Sequence, residues 1–195
     1  MMIMPSNNTC GIVHYLAGAY PGSIGLLISP AGWRKPPWYM PYAFDNGAFT
    51  GFNEEAFLGL MLKSRVIKHK PLWVAVPDVV ADPEATLKLW HEWWQKVPYK
   101  RAFVAQDGHE AKDVPKEADA VFVGGSTSWK LSCAYKFKGV TPWLHIGRVN
   151  TASRLEWSVD IGADSVDGTG WFRSSKQQTE LIEFVTGKGQ LKISL

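Results

Sequence analysis

The chain has 195 residues and is 46% hydrophobic, which is enough to bury the core of one domain over residues 1–195. It has no long apolar run and no basic-then-apolar leader, so we expect no membrane contact and a cytoplasmic location. A net charge of +3 is too small to establish nucleic-acid binding by itself. Cys10 and Cys133 have no partner at zinc-ligand spacing, so we expect neither a metal nor a cofactor.

The N-terminal quarter has the pattern of strands and turns. Residues 12–15 and 24–28 are predicted to be buried strands, separated by a Pro-Gly turn. A loop over 32–41, rich in Pro, Trp and basic residues, leads through a short strand to Asp45. No helix is evident between these first strands, so we expect this part of the fold to be irregular.

Strands and helices alternate from residue 53 onward. Asn53, Asp82 and Ser126 are predicted N-caps, as is Thr151 or its neighbour Asn150, and a last helix is predicted over 177–185. This alternation predicts an α/β fold of about eight parallel strands, a compact, irregular (β/α)8 TIM-type barrel. Such barrels usually take about 250 residues, so some helices must be missing or reduced. The predicted strands between these helices are 72–76, 102–105, 120–123, 143–146 and 164–166.

Five short polar signatures each follow an apolar run that is predicted to be a strand. Because the carboxyl ends of parallel strands meet on one face of a barrel, we expect these signatures to share one pocket. Together they supply three carboxylates, one amide and a pair of backbone N–H groups, which suit a planar hydrogen-bonding ligand. The signatures are 44–49 (Phe-Asp-Asn-Gly-Ala-Phe), 76–78 (Val-Pro-Asp), 104–108 (Val-Ala-Gln-Asp-Gly), 123–126 (Val-Gly-Gly-Ser) and 165–168 (Ser-Val-Asp-Gly).

Each signature alone also has a structural explanation. Asp-Asn-Gly and Asp-Gly are common turn sequences, because Asp and Asn bond nearby backbone and Gly adopts positive φ. His145 is either a buried barrel residue or a substrate contact, and Arg148 suits a phosphate or carboxylate. The occurrence of five signatures at successive strand ends favours a functional site.

The ordered set resembles the tRNA-guanine transglycosylase superfamily, barrel enzymes that exchange guanine for a 7-deazaguanine base. Residues 44–49 resemble the family's Asp-Ser-Gly-Gly-Phe segment, and 104–108 resemble its Val-Gln-Gly segment. Gly124 and Gly125 match its Gly-Gly pair, residues 145–149 are similar to its Met-Gly-Val-Gly strand end, and residues 164–167 match the segment that holds its nucleophile.

This resemblance implies a role for each matching residue. Asp167 would be the nucleophile and Asp45 the second catalytic aspartate. A guanine-like base would give its donors to Asp78 and receive hydrogen bonds on O6 from Gln106 and Gly125. The implied substrate-binding residues are Asp78, Gln106, Gly124, Gly125, His145 and Arg148.

The family's C-terminal Cys-x-Cys-x-x-Cys zinc motif is absent from the sequence, and the chain is shorter than the tRNA-modifying members. It looks more like the DpdA-type relatives, often found in phages, that insert deazaguanines into DNA. The resemblance thus implies a nucleic acid as substrate, DNA being favoured over tRNA, and a free 7-deazaguanine base as co-substrate. A homodimer or a partner subunit is compatible with it.

The nucleic acid would be held by cations and exposed aromatic rings. Phosphates attract Lys and Arg, and unstacked bases stack on Trp. Two other functions remain open: an N-glycosidase that removes a base with water, and a non-catalytic subunit that supports a transglycosylase. The predicted nucleic-acid contacts are Arg34, Lys35, Trp38, Trp171 and Arg173, with Trp129 a further candidate for stacking.

Overall fold

Eight short parallel strands form a barrel in the computed structural model, which describes residues 1–187. The strand order is β1-β8-β7-β6-β5-β4-β3-β2, and isolated bridges Ile3–Ile24 and Ser6–Leu27 join β1 to β2. The predicted TIM-type barrel is therefore confirmed, while residues 188–195 of the predicted domain lie outside the described part. The strands are β1 (Met2–Pro5), β2 (Leu26–Ile28), β3 (Tyr42–Phe44), β4 (Val74–Ala75), β5 (Arg101–Ala105), β6 (Ala120–Val123), β7 (Leu144–Ile146) and β8 (Ser165–Gly168).

Six α-helices cover the outside of the barrel over the described residues. Only 3-10 turns, Pro30–Gly32 and Ala111–Asp113, stand where helices would follow β2 and β5. These two reductions explain how the barrel fits into a chain shorter than the usual ~250 residues. None of the helices within residues 1–187 is long and apolar enough to cross a bilayer. The helices are α1 (Gly11–Ala19), α2 (Glu54–Ser64), α3 (Pro83–Trp93), α4 (Thr127–Cys133), α5 (Ala152–Asp160) and α6 (Ser175–Val185).

The predicted N-caps fix where four helices leave the barrel rim. The side chains of Asn53, Asp82, Ser126 and Thr151 each accept a hydrogen bond from the backbone N–H three residues further on. Each such bond satisfies one of the unpaired N–H groups of the first helical turn and is typically worth ~1 kcal/mol. The loops between strand ends and caps are thereby held in place, and these loops carry the candidate site.

Side chains of alternating size fill the barrel interior. Trp73 and Phe122 pack against each other with ring centroids 5.8 Å apart, and alanines of the neighbouring strands leave room for them. A second, larger core lies between the sheet and the helices. Because side chains fill the barrel below its mouth, a ligand has access only from the carboxyl ends of the strands.

The predicted strand over residues 12–15 is wrong, because these residues belong to helix α1. Val13, Leu16 and Ala17 are buried at helical spacing, which places one face of the helix against the sheet. The first strand is instead Met2–Pro5, a fully buried run of four residues too short to show a clear period. The prediction at 24–28 holds for its second half, which forms β2.

Candidate active site

A cavity of about 290 Å³ opens at the carboxyl ends of the strands. All eight strand ends or the loops that follow them contribute to its wall, so the cavity is built by the barrel as a whole. Five of the predicted site residues, Asp45, Asp78, Gln106, Arg148 and Asp167, line this one cavity together with Gly124 and Gly125. The remaining lining residues are Ser6, Ser29, Asn46, Gly47, Ala48, Phe49, Thr50, Val80, Val104, Phe122, Gly147 and Thr169.

Asp167 is held as a carboxylate by three hydrogen-bond donors. Its Oδ1 accepts from the Arg148 N–H at 3.0 Å and from His145 Nε2 at 3.2 Å, and its Oδ2 accepts from the Ser6 hydroxyl at 3.1 Å. Burial alone would raise the pKa of Asp167, but these hydrogen bonds outweigh it and hold the pKa below its ordinary value. Asp167 is therefore ionised at neutral pH although its side chain is almost wholly buried.

A chain of three hydrogen bonds leads into Asp167 from the barrel interior. The Trp143 indole can only donate, and it donates to Ser165 Oγ at 2.8 Å. The Ser165 hydroxyl then donates to His145 Nδ1 at 2.7 Å, which leaves the proton of the ring on Nε2, facing Asp167. Burial lowers the pKa of His145, so the ring is neutral and this tautomer is fixed.

The prediction that His145 contacts the substrate is therefore wrong. Its side chain is fully buried, it does not line the cavity, and Ser165 and Asp167 occupy its two ring nitrogens. His145 instead orients the carboxylate of Asp167, and the aromatic rings of Trp73 and Phe122 pack around it at 4.8 and 4.5 Å.

Asp45 has the opposite electrostatic environment. Burial raises its pKa to about 7, and the negative charges of Asp167 and Asp78 add to this, although the N–H of Gly47 donates to its Oδ1 at 3.3 Å. A carboxyl group with a pKa near 7 can both give and take a proton at physiological pH. Within residues 1–187 the carboxylates of the site do not form a metal-binding cluster.

Asp78 is clamped between two side-chain amides. Asn46 Nδ2 donates to its Oδ1 at 2.7 Å, and Gln106 Nε2 donates to its Oδ2 at 2.6 Å. Burial raises the pKa of Asp78 to about 6, in spite of these two hydrogen bonds. Each oxygen keeps a lone pair beyond the one used by its amide, so Asp78 can still accept from a ligand in the cavity.

Gln106 is the centre of a small polar network behind the cavity wall. Its Oε1 accepts from the N–H groups of Gly125 and Ala81, each at 3.1 Å. The Gly125 N–H is thus already paired, and the prediction that it donates to the ligand does not hold in this structure. A second hydrogen on Gln106 Nε2 remains for a ligand acceptor. Gly124 lies so close that a Cβ there would stand 2.8 Å from Gln106 Nε2.

Arg148 closes part of the cavity rim. Its guanidinium lies 5.3 Å from the centroid of the exposed Phe49 ring and donates to the Gly125 carbonyl. The residue adopts a φ of 59°, which is unfavourable for a side chain with a Cβ and directs its N–H at Asp167. Arg148 therefore contributes to the site twice, with its backbone inside and its cation at the entrance.

The predicted nucleic-acid contacts fall into three groups. Arg34, Lys35 and Trp38 are exposed on the loop between β2 and β3 and do not line the cavity; Trp38 is 85% exposed. Arg173 is exposed at the rim, where it donates to Thr169 Oγ1 at 3.3 Å. Trp171 is fully buried, so its prediction as a stacking residue is wrong.

Three residues of the site were missed by sequence reasoning. Ser6 follows the short strand β1 as the other site residues follow theirs, and recognition of that strand would have pointed to it. Phe49 lies inside one signature, but only the structure shows that its ring is 69% exposed beside the cavity. Lys130 is a buried lysine behind the site, and no sequence pattern distinguishes it from a surface lysine of helix α4.

The fold is similar to that of solved structures, whereas the sequence matches no known family. No protein family and no curated protein match the chain. A solved structure described as "QR15, an Aldolase" superposes with a TM-score of 0.52 and 11% sequence identity, covering 99% of this chain and 96% of that chain. At this identity the similarity shows the shared barrel fold alone.

Proposed function

We propose that the protein is a base-exchange transglycosylase that replaces guanine in a nucleic acid with a 7-deazaguanine base through a covalent aspartyl-glycosyl intermediate. The observation that carries the proposal is the pair Asp45 and Asp167, two carboxyl groups that line one cavity with pKa values shifted in opposite directions. An ionised nucleophile beside a protonated acid is the arrangement that cleavage of a glycosidic bond with retention requires.

The base is recognised by the clamp of Asp78 and Gln106. A guanine-type base presents two neighbouring donors, N1–H and the 2-amino group, and one acceptor, O6. The free lone pairs of Asp78 accept from the donors, and the second Nε2–H of Gln106 donates to O6. Adenine presents an acceptor where Asp78 needs a donor, so this clamp discriminates against it.

The reaction proceeds by two displacements at C1′ of the target nucleotide. Asp167 Oδ2, to which the Ser6 hydroxyl donates, attacks C1′ as the bond to guanine breaks, and Asp45 gives its proton to the departing base. The incoming base then gives its N9–H proton to Asp45 and attacks C1′, which releases Asp167. The proton and the carboxylate are both restored, so the cycle needs no further reagent.

The nucleic acid lies across the rim of the cavity. Its target nucleotide must leave the base stack to reach Asp167, and Phe49 offers an exposed ring on which it can stack beside the cation of Arg148. Arg34, Lys35, Trp38 and Arg173 supply further cations and an aromatic surface outside the cavity. DNA is favoured over tRNA by the resemblance to the short, zinc-free transglycosylases.

Incubation with duplex DNA and with tRNA, each containing labelled guanine, tests the proposal. We expect release of guanine from DNA only when a 7-deazaguanine base is present, with incorporation of that base. Wild-type protein trapped in mid-reaction should give a denaturant-resistant adduct, and Asp167→Asn, which keeps the shape and removes the charge, should not.

Other outcomes of that experiment separate the alternatives. Guanine release without incorporation would identify an N-glycosidase. Binding of nucleic acid with no release from either substrate would indicate a non-catalytic subunit. An adduct that persists in Asp167→Asn but is lost in Asp45→Asn would transfer the nucleophilic role to Asp45.

A further inference from the structure

Lys130 is a buried cation that has no carboxylate partner among residues 1–187. It lies on helix α4, is 4% exposed, and forms no salt bridge within the described residues. Its Nζ donates instead to the carbonyl oxygen of Gly147 at 2.5 Å. Burial of an ammonium group is costly unless its charge is used, so this single contact calls for a functional explanation.

The acceptor of Lys130 belongs to the peptide group that binds Asp167. The carbonyl of Gly147 and the N–H of Arg148 are the two ends of one planar peptide unit, and that N–H donates to Asp167 Oδ1 at 3.0 Å. We propose that Lys130 is a positioning residue that acts through this peptide to orient Asp167 and keep it ionised.

The peptide can carry the electrostatic effect of Lys130 to Asp167 because its dipole lies between these two side chains. A cation at the oxygen end draws electron density from the N–H and makes it a stronger donor, as hydrogen bonds in a chain polarise one another. The same contact holds the peptide that leads into Arg148, whose backbone has a φ of 59°. Replacement of Gly147 is also restricted, since a Cβ there would meet the ring of Phe122 at 2.5 Å.

The other charges nearby do not replace Lys130 in this role. Arg148 and Arg154 lie close enough to repel it, while Asp167 and Asp107 attract it. Burial and these cations lower the pKa of Lys130 to about 8, so it is charged at neutral pH and loses its charge in mildly alkaline solution. Two titratable groups face Asp167, and neither supplies a positive charge: His145 is neutral and Asp45 is a carboxyl group. Lys130 is therefore the cation that acts on Asp167 through the peptide.

Titration of the Asp167 carboxyl carbon by NMR tests this relay without any substrate. In Lys130→Met, which is similar in length and uncharged, we expect the pKa of Asp167 to rise by about half to one pH unit. In wild type, the backbone amide resonance of Arg148 should show an inflection near pH 8, where Lys130 loses its proton, and this inflection should vanish in Lys130→Met. A role limited to packing would change neither observable.

Lys136→Met is the matched control, because Lys136 is exposed on the turn that follows α4. It should leave both the Asp167 pKa and the Arg148 inflection unchanged, and melting curves confirm that each variant is folded. An unchanged Asp167 pKa in folded Lys130→Met, or an Arg148 amide without the inflection in wild type, would overturn the relay. Absence of base exchange in wild type would refute the proposed function and leave this result intact.

Discussion

Asp45 and Asp167 line one cavity, yet the pKa of Asp45 is raised to about 7 while that of Asp167 is lowered. The difference lies in their donors. Asp167 receives hydrogen bonds from His145, Ser6 and the Arg148 N–H, whereas Asp45 receives a long one from Gly47. The charge of Asp167 then raises the pKa of Asp45 further, so each carboxyl group helps to set the state of the other.

Asp45→Asn should stabilise the fold, most strongly in alkaline solution. The folded pKa of about 7 lies above the ordinary value of 3.8, so the native state binds more protons than the unfolded state between these pH values. Stability therefore falls as pH rises from about 4 to 7, and the variant escapes this loss. Because Asp45 is partly exposed, we expect a gain of only about 1–2 kcal/mol at pH 8.

Urea unfolding of wild type and Asp45→Asn at pH 4, 6 and 8 measures this gain. Asp160→Asn, the same change at the exposed end of α5, is the matched control. A gain that is constant across the three pH values would show that the pKa of Asp45 is not raised.

Ser165→Ala should break the chain of hydrogen bonds that fixes His145. The change leaves His145 Nδ1, which is buried, and Trp143 Nε1, which is half-buried, without this partner, at a cost of about 1–3 kcal/mol. Nitrogen NMR should show the His145 Nδ1 resonance shifted by the loss of this donor, while the ring proton stays on Nε2 because Asp167 still accepts it. Ser132→Ala, which removes an exposed hydroxyl, should cost less than about 0.5 kcal/mol. An Nδ1 resonance that is unchanged in Ser165→Ala would contradict the assignment of Ser165 as its donor.

The position of the site was predictable from sequence because strand ends in a barrel converge on one face. Asp45, Asp78, Gln106 and Asp167 each follow an apolar run, and the structure places all four on one cavity. Their separate protonation states were not predictable, since these depend on donors that are distant in sequence. Ser6, for example, is 161 residues from Asp167.

The errors of sequence reasoning have two physical sources. Helix α1 has buried positions that also fit a short apolar strand. Over four residues, the helical period of 3.6 cannot be distinguished from the strand period of 2. The burial of Trp171 and His145 depends on tertiary packing, which residue type does not encode, because both residues occur at binding sites as well as in cores.

Gly124→Ala should weaken base binding while leaving the protein folded. The added Cβ would stand 2.8 Å from Gln106 Nε2 and 3.1 Å from Val104, so the amide must move away from Asp78. We expect about a tenfold loss of affinity for guanine by calorimetry, equivalent to ~1.4 kcal/mol. Gly59→Ala, whose Cβ would meet nothing within 4 Å on helix α2, should bind as wild type does. Equal affinities for both variants would remove Gln106 from the binding site.

Arg34→Ala combined with Lys35→Ala should weaken nucleic-acid binding and leave binding of the free base unchanged. Both side chains are exposed outside the cavity, so they can contact phosphates but not the base. Loss of two phosphate contacts should reduce the slope of log affinity against log salt by about 2. The exposed pair Lys63 and Lys68, changed to Ala together, provides the control. A slope equal to that of wild type would show that the loop does not contact nucleic acid.

Base binding should depend on pH through Asp78. Its pKa of about 6 means that the carboxylate, which accepts the two donors of guanine, becomes protonated in mildly acidic solution. A protonated Asp78 has lost an acceptor, so affinity should be constant above pH 7 and fall about tenfold per pH unit below 6. Calorimetric titration with guanine from pH 5 to 8 gives the profile directly. Asp78→Asn keeps the shape without the charge, and it should bind weakly at every pH. If wild type kept its full affinity at pH 5, the base would have to be held by a group other than Asp78. The same result would exclude Asp45 as the acceptor of the base, because its pKa is higher still.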